Sequence, residues 1–184
     1  MKFYEQFFGY PYSFPKFDQV WVHEFRSGAM ENAGIVTYND RDLYKEKNPT
    51  AVQLIELADT ITHELSHHWF GNLVTMQWWD DLWLNESFAD FISYFCIEKI
   101  KEKIKYKVDS AMAIFRDREV WGYREDLRNS TTHPIRATVA NTAETESIFD
   151  GITYSKGGAC MQQLMFLMGE DNFSKSLSNY FNRF

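Results

Sequence analysis

His63 and His67 stand four residues apart, in the run His63-Glu64-Leu65-Ser66-His67. On a helix this spacing puts both imidazoles on one face, one turn apart, where they can share a metal ion. A catalytic Zn²⁺ held by two imidazoles needs a third protein ligand and an open position for water. Glu86, nineteen residues beyond His67 in Trp83-Leu84-Asn85-Glu86, is the candidate. A tight turn through Gly71-Asn72 would send the chain back antiparallel and bring Glu86 beside the histidines. Glu64 would then point at the activated water as general base, without binding the metal. The competing reading of the pentad is two helix-surface histidines that bind nothing. His68 lies about 100° around the helix from His67 and reads as a packing or supporting residue. Asp90, four residues after Glu86, either accepts the free N–H of a metal-bound histidine or faces solvent.

These side chains need rigid carriers. Ala51, Leu54, Ile55, Ala58, Ile61, Leu65 and Trp69 keep a helical stripe behind the start signal Asn48-Pro49-Thr50, and Gly71-Asn72 should stop it. A second helix is expected to open near Asn85 and run toward Lys105, with the charged stretch from Glu98 to Lys107 as its solvated end. A third is expected over Lys107 to Trp121, then an irregular polar segment from Arg124 to Asp150, then helices over Ser155 to Met168 and Asn172 to Phe184. The stripes Leu164, Phe166, Leu167 and Phe173, Leu177, Phe181 read as core. Before Tyr44 the chain reads as extended and looping. Phe17 to Glu24 has strand composition with both faces partly apolar, as in a covered sheet. A loop from Gly28 to Gly34 leads to a further strand at Ile35 to Tyr38. Strands first and helices after make the class α+β.

The 184 residues suffice for one domain with a real core. Apolar residues at 45% exclude disorder as the main state, and a net charge of −7 argues against a nucleic-acid partner. A cleft with a negative field would instead suit a cationic ligand such as a free amine. The aromatic content of 17% implies a bulky core or a large surface that meets something else. Cys96 and Cys160 make no disulfide framework and no thiolate metal site. The start lacks the apolar run of a signal peptide, and no stretch approaches the ~18 apolar residues of a membrane span. The chain is therefore expected to be soluble and, if it is the complete product, cytoplasmic. The sequons at Asn85, Asn129 and Asn172 carry no weight without a secretion signal.

Gly28-Ala-Met-Glu-Asn32, the run from His63 to Met76, Trp83-Leu-Asn-Glu86 and the segment Phe149 to Gly157 together resemble the aminopeptidase N family of gluzincin metallopeptidases. The resemblance runs from Phe3 to the last residues, with the motifs in order. It implies a thermolysin-like catalytic domain, here partial, with 1–44 as strand and loop and 50–184 as the mainly helical part. It implies His63, His67 and Glu86 as ligands of one Zn²⁺ and Glu64 as general base. Glu31 is implied to bind the substrate's free α-amine. Gly28, Ala29, Met30 and Asn32 belong to the implied substrate-binding segment, whose first three residues hold the substrate main chain and line its first side-chain pocket. Tyr154 is implied to hydrogen-bond the oxyanion; read without the resemblance, it is a buried helix-start aromatic.

The implied activity is removal of the N-terminal residue from peptides. Two alternatives stand beside it. One is an epoxide hydrolase resembling leukotriene A4 hydrolase, disfavoured because that branch typically has Gly where this chain has Ala29. The other is a catalytically incompetent zinc-binding fragment, because the family's N-terminal β domain, further strands and C-terminal helical domain have no counterpart here. On that ground the chain is expected to be marginally stable or aggregation-prone by itself, with those flanking domains as its partners.

Overall fold

The computed structural model describes residues 1–43, 47–103, 110–128 and 130–184. It has the helices α1 (Lys2–Phe8), α2 (Ala51–Ser66), α3 (Leu82–Ile100), α4 (Ala111–Asp126), α5 (Gly157–Met168) and α6 (Glu170–Arg183). The strands are β1 (Asp18–Val22), β2 (Ala29–Met30) and β3 (Ile35–Asn39), ordered β1-β3-β2. β1 runs parallel to β3 and β2 antiparallel to it, with Ala29 opposite Tyr38 and Met30 opposite Thr37. The class is α+β, helical with one small sheet. None of the described helices is long and apolar enough to cross a membrane.

α2 begins where the sequence signals it. The Thr50 hydroxyl accepts from the Gln53 amide while the Gln53 side chain accepts from the Thr50 amide, a reciprocal cap that satisfies two otherwise orphaned donors. It ends at Ser66, earlier than Gly71; His67 to Trp69 continue as turns and Phe70 forms an isolated bridge with Val74. α3 starts at Leu82, one turn before the expected Asn85, behind a 3₁₀ turn over Trp79–Asp81. Of the expected third helix, the described part is α4, which Ser110 caps by accepting from the Ala113 amide. Residues 104–109, with the expected end of α3 and the first residues of that third helix, lie outside the described residues, as does Asn129.

Three expectations are corrected. The N-terminal segment is not wholly extended: α1 packs Tyr4, Phe7 and Phe8 into the main core against Trp69, Phe95, Phe173 and Phe181. The Tyr4 hydroxyl donates to the carbonyl of Thr62, so α1 braces α2 one residue before His63. β1 is not covered, since Asp18, Gln19 and Val20 are exposed. The α5 stripe is not core either: Leu164, Phe166 and Leu167 are 41%, 86% and 81% exposed, whereas Phe173 and Phe181 of α6 are buried. α5 instead reaches the core through Met161 and Met165, which pack against it.

That exposure sets a measurable expectation. A Phe166→Lys/Leu167→Lys variant of this chain should unfold within about 0.5 kcal/mol of its parent, as for surface positions generally, and should self-associate less. Denaturant titration and light scattering check this. A loss of several kcal/mol would show that both side chains are covered in the folded protein.

Candidate metal centre

α2 carries His63 and ends beside His67, and α3 carries Glu86. Between them the chain reverses at Gly71, whose φ of 130° favours glycine and whose amide donates to Val74. A Cβ at Gly71 would also lie 3.2 Å from the His67 carbonyl oxygen. The reversal lays α3 against α2 and places the Glu86 carboxylate 3.3 Å from His63 Nε2 and 3.4 Å from His67 Nε2. Ligand atoms of all three buried side chains lie within 4.8 Å of one another, the one such cluster among the described residues.

The donor set suits a divalent cation. His67 Nδ1–H donates to the Phe70 carbonyl at 3.0 Å, which fixes the tautomer and leaves Nε2 as the ligand. Burial would raise the Glu86 carboxyl, but the facing imidazoles of His67 and His63 outweigh it and hold the group well below the usual carboxylate range. Burial would likewise lower both imidazoles, but the facing carboxylates, Glu86 foremost with Glu64 and, for His67, Glu31, more than reverse this, raising His63 and taking His67 up to about 10. The pocket thus favours positive charge between three ligands. A metal ion held by all three would supply that charge.

Glu64 is not in the cluster. Its Oε2 is buried without a hydrogen-bond partner. Burial pushes its carboxyl up to about 7, with Glu31 and Glu86 adding to the rise and His63 and His67 opposing it. Tyr154 stacks on the His63 ring at 6.0 Å and 12°. Burial first, and then Glu86, keep its phenol protonated far above neutral pH.

A cleft of about 880 Å³ exposes this cluster. Gly28, Ala29, Met30 and Glu31 line it on one side, with Ala29 and Met30 forming β2, an edge strand. Asn72 Nδ2 donates to the Glu31 carbonyl at 2.8 Å and ties that segment to the turn after α2. The Glu31 carboxylate comes within 3.9 Å of His67 Nδ1. Asn32 does not line the cleft; its amide reaches Thr37 Oγ1 across the β2–β3 connection.

Of two expectations about neighbours, the one for His68 holds and the one for Asp90 changes. His68 is a packing residue: its ring sits among Tyr12, Phe14 and Phe17 with each centroid at 5.4 Å, and Nδ1 donates to the Glu64 carbonyl. Asp90 neither supports a histidine nor faces solvent. It is fully buried, with Arg118 Nη2 at 2.9 Å and Ser155 Oγ at 3.0 Å.

The cleft also contains residues that sequence reasoning passed over: Asp59, Arg118, Trp78 and Trp79. Asp59 had a readable signal, since it precedes His63 by four residues on the helix that carries it. Arg118 had none. Arg26 and Glu146, both in the lining of the cleft, form an ion pair.

Residues 1–184 match the peptidase family M1 domain. The chain belongs to peptidase family M1. It is 42% identical over its whole length to probable aminopeptidase 1 of Saccharolobus solfataricus and 43% identical over 98% of its length to aminopeptidase N of Streptomyces lividans. It is 41% identical over its whole length to the alanine/arginine aminopeptidase of Saccharomyces cerevisiae. It spans 23%, 20% and 21% of the lengths of these three family relatives.

Proposed function

We propose that this chain carries the catalytic centre of a zinc aminopeptidase, as a single partial domain (1–184) of the thermolysin-like kind. The observation that carries the reading is the buried His63–His67–Glu86 cluster with an unpartnered Glu64 oxygen beside it, at the floor of a cleft edged by β2. Two imidazole nitrogens and a carboxylate are the donors of a catalytic zinc site. When bound, Zn²⁺ would polarise the scissile carbonyl and acidify a water.

The chain's own residues supply the rest. The free edge of β2 offers main-chain groups to an extended peptide. Glu31 takes the peptide's ammonium group and so measures one residue from the chain end. Glu64, poised near neutrality in its dry position, removes the proton of the attacking water and passes it to the leaving amine. The Tyr154 phenol donates to the oxygen on which negative charge develops. Met30 and Phe149, both in the cleft wall, offer apolar surface to the first side chain. Substrates would be peptides with a free N-terminus, and the flanking domains of a full-length enzyme would be the chain's partners.

Two measurements test this. Purified without chelator, the protein should bind about one Zn²⁺ per chain through nitrogen and oxygen only. Sulfur in the first shell by X-ray absorption would refute the ligand set, because neither Cys96 nor Cys160 belongs to it. In the full-length enzyme, a peptide with a free amino end should be cleaved and its N-acetylated twin should not. The lost charge-assisted bond to Glu31 is worth roughly 1.5–3 kcal/mol, and equal cleavage of both peptides would remove Glu31 from its role.

A further inference from the structure

Tyr154 sits on an unusual piece of backbone. Ile152–Lys156 is a π-helical turn, in which the Gly157 amide donates to Ile152 and the Lys156 amide to Gly151. Such turns are rare, persist where the surroundings over-determine them, and recur at functional sites. The surroundings here are specific. Gly122 of α4 and Gly151 touch backbone to backbone, and a Cβ on Gly122 would lie 2.8 Å from the Lys156 nitrogen. On the α3 side, Ser87 Oγ donates to the Thr153 carbonyl. One residue past Tyr154, Ser155 Oγ donates to Asp90, whose other oxygen takes the Arg118 guanidinium. Arg118 makes a second approach to the phenol, because its guanidinium lies 5.3 Å from the Trp121 ring and that ring lies 6.0 Å from the Tyr154 ring.

We propose that Asp90, with Arg118 and Ser155, is the positioning group that fixes the Tyr154 phenol over the metal cluster. A carboxylate with no exposure is costly to bury unless both oxygens are bonded, and here both are. One partner lies on α4 and the other on the π turn, so this single side chain locks three segments: the helix carrying Glu86, the turn carrying Tyr154, and α4. The extra residue of the π turn lets Tyr154 face His63 while its neighbour Ser155 faces Asp90. Without that anchor the turn would relax toward ordinary helical spacing and rotate the phenol off its target. The proposal rests on the reading of Tyr154 as the oxyanion donor.

Ser155→Ala in the full-length enzyme is the decisive variant, because it cuts only the bond between Asp90 and the turn. Zinc content and KM should hold, while the melting temperature should fall somewhat because one oxygen of the buried Asp90 loses its partner. The value of kcat should fall by roughly 10–100-fold, the scale of a small misplacement of a catalytic group. In a Tyr154→Phe background the same substitution should cost nothing further, since its effect passes through the phenol. Hydrogen exchange should quicken at residues 152–156 and not in α2. Asp90→Ala should act in the same direction more strongly; if it unfolds, Ser155→Ala alone decides. Additive losses in the double variant, a rise in KM with kcat intact, or unchanged exchange at 152–156 would each overturn the proposal. An inactive parent enzyme would sink the aminopeptidase reading, and the exchange measurement would still test the anchor.

Discussion

In the full-length enzyme, Glu64→Gln is expected to keep its full complement of zinc while losing turnover by roughly 10³-fold, within the range for general-base removal. The expectation follows from where the side chain stands. Glu64 is outside the cluster formed by His63, His67 and Glu86, so an isosteric amide leaves the donor set intact. Its buried Oε2 has no partner, so the substitution breaks no hydrogen bond at that atom. A carboxylate raised to about 7 by burial is destabilising to the fold when charged, and its neutral replacement should leave the melting temperature level or slightly higher. What the amide cannot do is accept the proton of water. His63→Ala and Glu86→Ala should behave oppositely and lose the metal, because each removes a donor. Metal analysis beside kcat on the same preparations separates the two groups. Loss of zinc from Glu64→Gln would refute the division of labour between base and ligands.

The candidate metal cluster was legible because its members' relation is local. His63 and His67 are one turn apart, and Glu86 returns to them through a single reversal at Gly71. The start of α2 was legible for the same reason, since its cap involves Thr50 and Gln53 only. What was not legible depends on partners far away in sequence. α1 has only seven residues, too short to hold as an isolated helix; it exists because its aromatic rings pack on Trp69 and on α3 and α6. Asp90 could not be read because Arg118 is 28 residues away and Ser155 is 65. Its position on the Glu86 face suggested a histidine partner, and a stronger cation from α4 took it. The α5 stripe failed on the opposite ground. Leu164, Phe166 and Leu167 have the spacing of a core face, but periodicity only marks a side that wants cover, and no described element covers this one.

The substitution with the largest expected effect on the fold around the site is Gly157→Ala. In a helix, replacing glycine with alanine ordinarily gains up to about 1 kcal/mol. Here the sign should invert, because a Cβ on Gly157 would fall 1.8 Å from Ser87 Oγ and 2.7 Å from Ser87 Cβ. Ser87 follows the ligand Glu86 directly and holds the π turn through the Thr153 carbonyl. The clash therefore pushes apart the two segments that carry Glu86 and Tyr154. A loss of about 3 kcal/mol, the upper end for overpacking, is expected together with weaker zinc binding. The geometry also dictates the rescue. Ser87→Ala removes the oxygen but keeps the Cβ at 2.7 Å, closer than real carbons approach, so it should restore little in the Gly157→Ala background. Ser87→Gly removes both atoms and should restore most of the stability, less the hydrogen bond to Thr153 at about 1 kcal/mol and the glycine penalty in α3. Denaturant titration of the four-member cycle reads the coupling between the two positions directly. Additive effects of Gly157→Ala and Ser87→Gly would show that α5 and α3 are not in contact at this point, and equal rescue by Ser87→Ala would show that the Ser87 oxygen alone makes the contact.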